Sequence, residues 1–510
     1  MFSLKHQCNR NSRSGQTRAT SRLGAVTGFL VTGRLFCRDF AICGTMPNMH
    51  QAPESSRSQR LAWPWLALII VAYVAIASLY AVRVPAWQAP DEPAHYNYIH
   101  ELASTGQFPV LRMGDYDEAY LEQLKSQGFP PSLPIDPVRY EAHQPPLYYL
   151  LASAVFRLTQ GQLLFLRLLS VALGAIFVVL TYEIVRQIYP QRAAVRLAAA
   201  AFVAFLPMHV AMAASVNNDA LAEVLLAGIL LLSIRYVKGW MLGPDQPGWL
   251  QALALGLVLG MALVTKVSAY VAIPVVVAAL VIVRYEARHA TRPKSDVRGP
   301  ESTLLIHAAL IFLPALLIAL PWYARNVQLY GHLDFLARRW HDSVVVGQLR
   351  TGDFLAQAGL DGLLERMGVW SFDSFWGVFG WMGVWMDGRV YTALLAFSLA
   401  TGVGCVALLV RQCRVSRVKV SGGGVSGGGV SGVATLGSSP SAPRFRRWSL
   451  ALLGLSALLT MGIYVSYNVI FVQPQGRYLF PALPAIALAV ALGWQEVVSR
   501  PAAARWTGIV

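Results

Sequence analysis

Ten stretches of 16 to 24 mostly apolar residues recur along this chain, and that recurrence limits the fold more than any other feature. A helix needs about 20 such residues to cross a bilayer, and only helices or closed barrels satisfy their backbone groups there. The segments run from Leu61 to Val82, Gln162 to Val185, Leu197 to Ala214, Ala220 to Tyr236, Trp249 to Thr265, Ser268 to Val283, Leu304 to Trp322, Tyr391 to Val410, Trp448 to Phe471 and Tyr478 to Trp494. The expected fold is therefore an all-α polytopic membrane protein of about ten transmembrane helices. Only 13% of the 510 residues are charged, against roughly 25% in a soluble domain, and mean hydropathy is +0.48.

The net charge of +16 does not indicate nucleic acid, because the basic residues lie in short blocks between apolar runs. Alternating the spans from a cytoplasmic N-terminus puts 28 of the 42 Lys and Arg on the inner side, and 18 of the 26 Asp and Glu on the outer side. Charge asymmetry thus predicts a multi-pass membrane protein with both termini cytoplasmic. The expected organisation is a disordered basic tail (1–60), a membrane domain (61–411), a Gly/Ser-rich cytoplasmic linker (412–447), two last spans (448–497) and a short tail (498–510). The five cysteines show no metal-ligand spacing, and no disulfide is expected.

Two outward loops are long. The first, 83–161, holds nine acidic residues between Asp91 and Glu141 against Arg112, Lys125 and Arg139. Helical spacing from Ala94 to Ser104 ends at Gly106, and Pro145-Pro146 opens an apolar segment too short to span, read as an interfacial or re-entrant helix. The second, 324–390, carries Trp340, Trp370, Trp376, Trp381 and Trp385 among glycines and is expected to lie on the bilayer surface, with one or two rings open as sugar platforms.

At the start of the first loop, PDEPAHY (Pro90 to Tyr96) sets Asp91 and Glu92 between two prolines, which predicts a stiff, extended corner. A positioned carboxylate can take a proton from an acceptor hydroxyl, so Asp91 and Glu92 are the candidate catalytic residues. His95 and the His143, Tyr148 and Tyr149 cluster stand on the same side. Lys266, Arg325 and Arg477, followed by Tyr478, are cations where the charge bias disfavours them, as a phosphate would require. Snorkelling to lipid head groups is the competing explanation for each. The Asn217-Asn218-Asp219 corner could line the same site, or be a plain turn and helix cap. His95 and His143 with an acidic neighbour offer metal-donor types with nothing to fix their separation; the expected cofactor is none, with a divalent metal the open alternative.

One span, a loop running from PDEPAHY to HQPPLYYLL, and a span opening Arg167-Leu-Leu-Ser170 together resemble the GT-C superfamily of membrane glycosyltransferases, which includes dolichyl-phosphate-mannose protein mannosyltransferases and bacterial aminoarabinose transferases. PWYARNVQLYG (Pro321 to Gly331), SFWGVFGW (Ser374 to Trp381) and QGRYLFP (Gln475 to Pro481) look like a bacterial polytopic family placed near that superfamily. The resemblance runs from about Leu61 to Trp494. It implies a polyprenyl-phosphate-linked sugar donor, a glycan, lipid or protein acceptor, Asp91 as base with Glu92 beside it, and Lys266 and Arg325 toward the lipid phosphate. Gln144 departs from the Lys that often precedes the Pro-Pro pair. The rival readings are a transporter or flippase of lipid-linked glycans and a non-catalytic scaffold; the spans are nearly free of mid-span charge and show no repeated halves, which weighs against transport.

Overall fold

A computed structural model describes residues 56–243, 247–289, 300–421 and 441–506. The expected tail falls almost wholly outside these residues, as does the central part of the Gly/Ser linker. Helix α1 (Ser56–Arg83) is followed by α2 (Glu92–Thr105) and α3 (Glu118–Ser126), and then by α4 (Leu147–Thr159) and α5 (Leu163–Ile188). Next come α6 (Ala193–Phe205), α7 (Pro207–Ala213), α8 (Asp219–Leu242), α9 (Trp249–Leu263), α10 (Ala272–Arg288) and α11 (Pro300–Tyr330). The chain continues through α12 (Arg338–Val344), α13 (Thr351–Gly377), α14 (Gly388–Ser421), α15 (Ser441–Asn468) and α16 (Leu483–Trp506).

Among the described residues eight helices are long and apolar enough to cross a membrane, or nine if the bent pair α6–α7 counts as one span. That pair turns by 62° where Pro207, which has no N–H to continue α6, starts α7. The expected span at Trp249 is the 15-residue α9, which falls short of a crossing length. It lies against α11 at close range: a Cβ on Gly256 would come within 2.5 Å of the Ile311 carbonyl oxygen, so glycine here lets two backbones approach. Phe177, Tyr182, Ile229, Ile234, Leu259 and Val276 pack the core between α5, α8, α9 and α10. Helices α14 and α15 extend into both ends of the expected linker.

Both long loops are folded. Leu121, Leu124, Phe129, Val138 and Tyr140 of the first loop form a small core with Val345 of the second. The two loops are also stitched by indole donors, Trp340 Nε1 to the Leu111 carbonyl (2.8 Å) and Trp381 Nε1 to the Trp87 carbonyl (2.9 Å). These rings are structural ties rather than free sugar platforms. The second loop is mostly helix, with α13 turning at Gly359, whose φ of 69° suits a residue without a Cβ. Sequence spacing missed this helix because its apolar residues mark no single face. Of the cysteines, Cys405 is free and its Sγ donates to the Ala489 carbonyl; Cys8, Cys37 and Cys43 lie outside the described residues.

Candidate functional site

The PDEPAHY corner forms differently from the expected extended pair. Glu92 opens α2, Pro93 occupies its first turn, where a missing N–H costs nothing, and Asp91 is the N-cap in the left-handed region (φ 67°, ψ −9°). An aspartate tolerates this conformation better than most residues, yet it is strained. The Asp91 carboxylate makes no cap hydrogen bond. Instead its Oδ1 accepts from the Tyr140 hydroxyl (2.9 Å) and its Oδ2 from Arg477 Nη2 (2.7 Å). At its other end α2 stops where expected, with Gly106 at φ 72°.

Glu92 faces the opposite way and is fully buried. Arg167 grips it with a two-pronged bond, Nε to Oε1 (2.8 Å) and Nη2 to Oε2 (2.6 Å), and the backbone N–H groups of Val216 and Trp87 donate to the same oxygens at 3.1 Å. Arg167 also reaches the carbonyls of Ala81, Val84 and Pro85. With its oxygens so occupied, Glu92 ties α1, α2, α5 and the α7–α8 turn together.

Arg477 arrives from a short 3-10 turn, Gly476–Ala482, clamped on α13 by the Gly476 N–H donating to Ser374 Oγ (2.7 Å). Beside it Lys266 pairs with Asp219 Oδ1 at 2.6 Å, both partly exposed. Asp219 begins α8, its N–H accepted by the Asn217 side chain, so the turn reading of that corner holds alongside its place in the site. Tyr478 lies under the Arg477 guanidinium, 5.4 Å from carbon to ring centre. His95 is buried and shares a 2.8 Å hydrogen bond with the Tyr149 hydroxyl. His143 Nδ1 pairs with the Tyr140 carbonyl oxygen, and its ring lies 4.4 Å from that of His341 on α12.

Two expected binding residues stand apart. The Tyr148 hydroxyl is buried between Ser170 and the Asn217 N–H. Arg325 donates to the carbonyls of Phe108 (3.1 Å) and Pro109 (2.7 Å) and stacks over Trp322, so it holds the first loop down. Glu141 is the residue sequence reasoning missed: it is one of nine acids in its loop, with nothing local to mark it. Its Oε2 is buried without a hydrogen-bond partner.

Burial works to raise the Asp91 carboxyl, but Arg477, His95 and the bonds from Arg477 and Tyr140 outweigh it and hold the group below the usual carboxylate range. Glu141 goes the other way, raised by burial against the pull of His95. Burial lowers His95, takes His143 down to about 4, and with His143 as neighbour takes His341 to about 3, so these rings are neutral at pH 7. Their surroundings thus push the two carboxyls in opposite directions. Among the described residues no group of three or more His, Cys, Asp and Glu is placed to hold a metal ion. A cavity of about 840 Å³ lies elsewhere, on α14 and α16 beside Ser398, Val406 and Glu496.

Residues 143–319 match the dolichyl-phosphate-mannose-protein mannosyltransferase family. No curated protein matches the chain. Among solved structures, an oligosaccharyltransferase of Archaeoglobus fulgidus is similar at 14% identity and a TM-score of 0.43, over 84% of this chain and 49% of that one. The chain thus spans about half the length of that protein. ArnT from Cupriavidus metallidurans is similar at 16% identity and a TM-score of 0.38, over 87% of this chain and 79% of that one. Its complex with undecaprenyl phosphate gives 17% and 0.35, over 85% and 78%. Residues 143–319 are thus similar to a family of membrane mannosyltransferases.

Proposed function

We propose that this chain transfers a sugar from a polyprenyl-phosphate donor to a glycan, lipid or protein hydroxyl at the outer face of the bacterial inner membrane, both termini being cytoplasmic. One observation carries the reading: Asp91, an ionised and partly exposed carboxylate, stands at a helix-bundle corner paired with the buried cation Arg477, and a second cation, Lys266, is held on Asp219. The family match supports the donor class, since its members are named for a mannose carried on a dolichyl phosphate. Charge asymmetry along the sequence supports the orientation.

In this reading Asp91 receives the proton of the acceptor hydroxyl as the acceptor oxygen bonds to the anomeric carbon. The bond from that carbon to the phosphate oxygen breaks, its electron pair leaves with the phosphate, and Arg477 and Lys266 face the charge that builds there. Glu92 takes no part beyond holding the corner. Incubating the purified chain with a polyprenyl-phosphate sugar and following release of polyprenyl phosphate tests it. Asp91→Asn should lower turnover by about 10² or more with the melting curve retained; an unchanged rate removes Asp91 as the base.

A further inference from the structure

A carboxylate gripped by a guanidinium is a poor base, and in this structure Asp91 is gripped. Arg477, only 7% exposed, spends Nε on Gln475 Oε1 (2.7 Å) and Nη2 on Asp91 (2.7 Å), while Nη1 meets the Met212 thioether sulfur at 3.8 Å. A thioether is a weak acceptor, so the Nη1 contact is the weakest of these three. Lys266 repeats the arrangement, closed on its own carboxylate, Asp219. The two ion pairs share one neighbourhood, for Asp91, Asp219 and Lys266 all act electrostatically on His95. Each cation that could meet a phosphate is already satisfied by an acid.

We propose that these two ion pairs form a latch which the donor phosphate opens: the phosphate oxygens take over Arg477 Nη1 and Nη2 and the Lys266 ammonium, and Asp91 is thereby released to act as a base. Arg477 is then a switching residue as well as an anion ligand. Its bidentate fork can exchange a carboxylate for a phosphate without moving far. No covalent bond changes in this step. The proposal rests on the transfer reading above and adds to it the order of events, since the base is weak until the donor is seated. An acceptor that enters first meets a neutralised Asp91, and this limits hydrolysis and idle proton exchange.

Linkage makes the latch measurable. If phosphate and Asp91 compete for Arg477, removing the acid must favour phosphate by the energy of that competition. Binding of a polyprenyl phosphate and of the matching polyprenol is measured on the full chain in detergent, for the wild type and for Asp91→Asn. Asp91→Asn should bind the phosphate roughly tenfold more tightly, about 1.4 kcal/mol, although it transfers sugar more slowly, and its affinity for the alcohol should not change. Asp219→Asn, freeing Lys266, should give a gain of the same sign and serves as the second arm should Asp91→Asn fold poorly. Equal or weaker phosphate affinity in the variants, or a matching gain for the alcohol, overturns the latch and leaves the transfer reading in place. A wild-type chain that binds no polyprenyl phosphate removes both.

Discussion

Glu92 and Arg167, 75 positions apart, face each other in a fully buried fork whose two bonds measure 2.8 and 2.6 Å. Asp91, next in sequence, faces Arg477 across 386 positions. Two neighbouring acids thus meet different arginines: one is sealed in a buried fork and the other stays partly exposed.

Breaking the buried fork should unfold the corner. Glu92→Gln leaves the Arg167 charge without its counterion in an apolar setting, a loss of about 3–5 kcal/mol. A melting curve in detergent should shift down strongly for Glu92→Gln and little for Asp91→Asn; the reverse order would exchange the two roles.

Gly476 sets the reach of Arg477. A Cβ there would stand 2.3 Å from the Phe375 nitrogen and 2.4 Å from the Ser371 carbonyl oxygen, so Gly476→Ala must push the turn off α13. A shift of about 1 Å at a reacting centre can cost 10²-fold, and transfer by Gly476→Ala is expected to fall by about that factor, more than binding of the polyprenyl phosphate does.

Arg325 and Arg477 should part company. Arg325→Leu removes the bonds to Phe108 and Pro109, each worth about 1.5–3 kcal/mol for a charged donor. Limited proteolysis should then cut the first loop faster, with polyprenyl phosphate affinity unchanged per folded molecule; a loss of that affinity would return Arg325 to the site.

The titrations have definite signs. His143 at about 4 and His341 at about 3 bind protons more weakly folded than unfolded, where an imidazole titrates near 6.5. Stability should therefore drop as pH falls from about 6.5 toward 4, and His143→Asn should flatten that limb of a melting-temperature series. Glu141 is raised, so the folded chain favours its protonated form, and that contribution disappears as pH climbs through the folded value. Glu141→Gln should raise the melting temperature at pH 7 and leave it unchanged below the ordinary carboxylate range.

Local signals were readable in the chain. Gly106 ends α2 and Pro146 caps α4 because φ > 0 and a missing N–H are properties of single residues. Asp91 could be picked out by the prolines that bracket it, and Lys266 and Arg477 because basic residues are disfavoured on that side. What could not be read were pairings that depend on which helix ends meet: Arg167 with Glu92, Arg325 with two backbone carbonyls, and the unpartnered buried oxygen that singles out Glu141 from eight other acids. The extended corner failed for the same reason, since the bonds to Arg477 and Tyr140 from remote segments help hold Asp91 in a conformation no neighbouring residue specifies.

That left-handed backbone at Asp91 governs how the position may be probed. Asparagine shares both the outline of the side chain and the ease of adopting φ near 67°, so a defect in Asp91→Asn reports on charge. Alanine, valine or glutamate would load the chain with a backbone misfit before any chemistry began, and a dead enzyme made that way would teach little about protons.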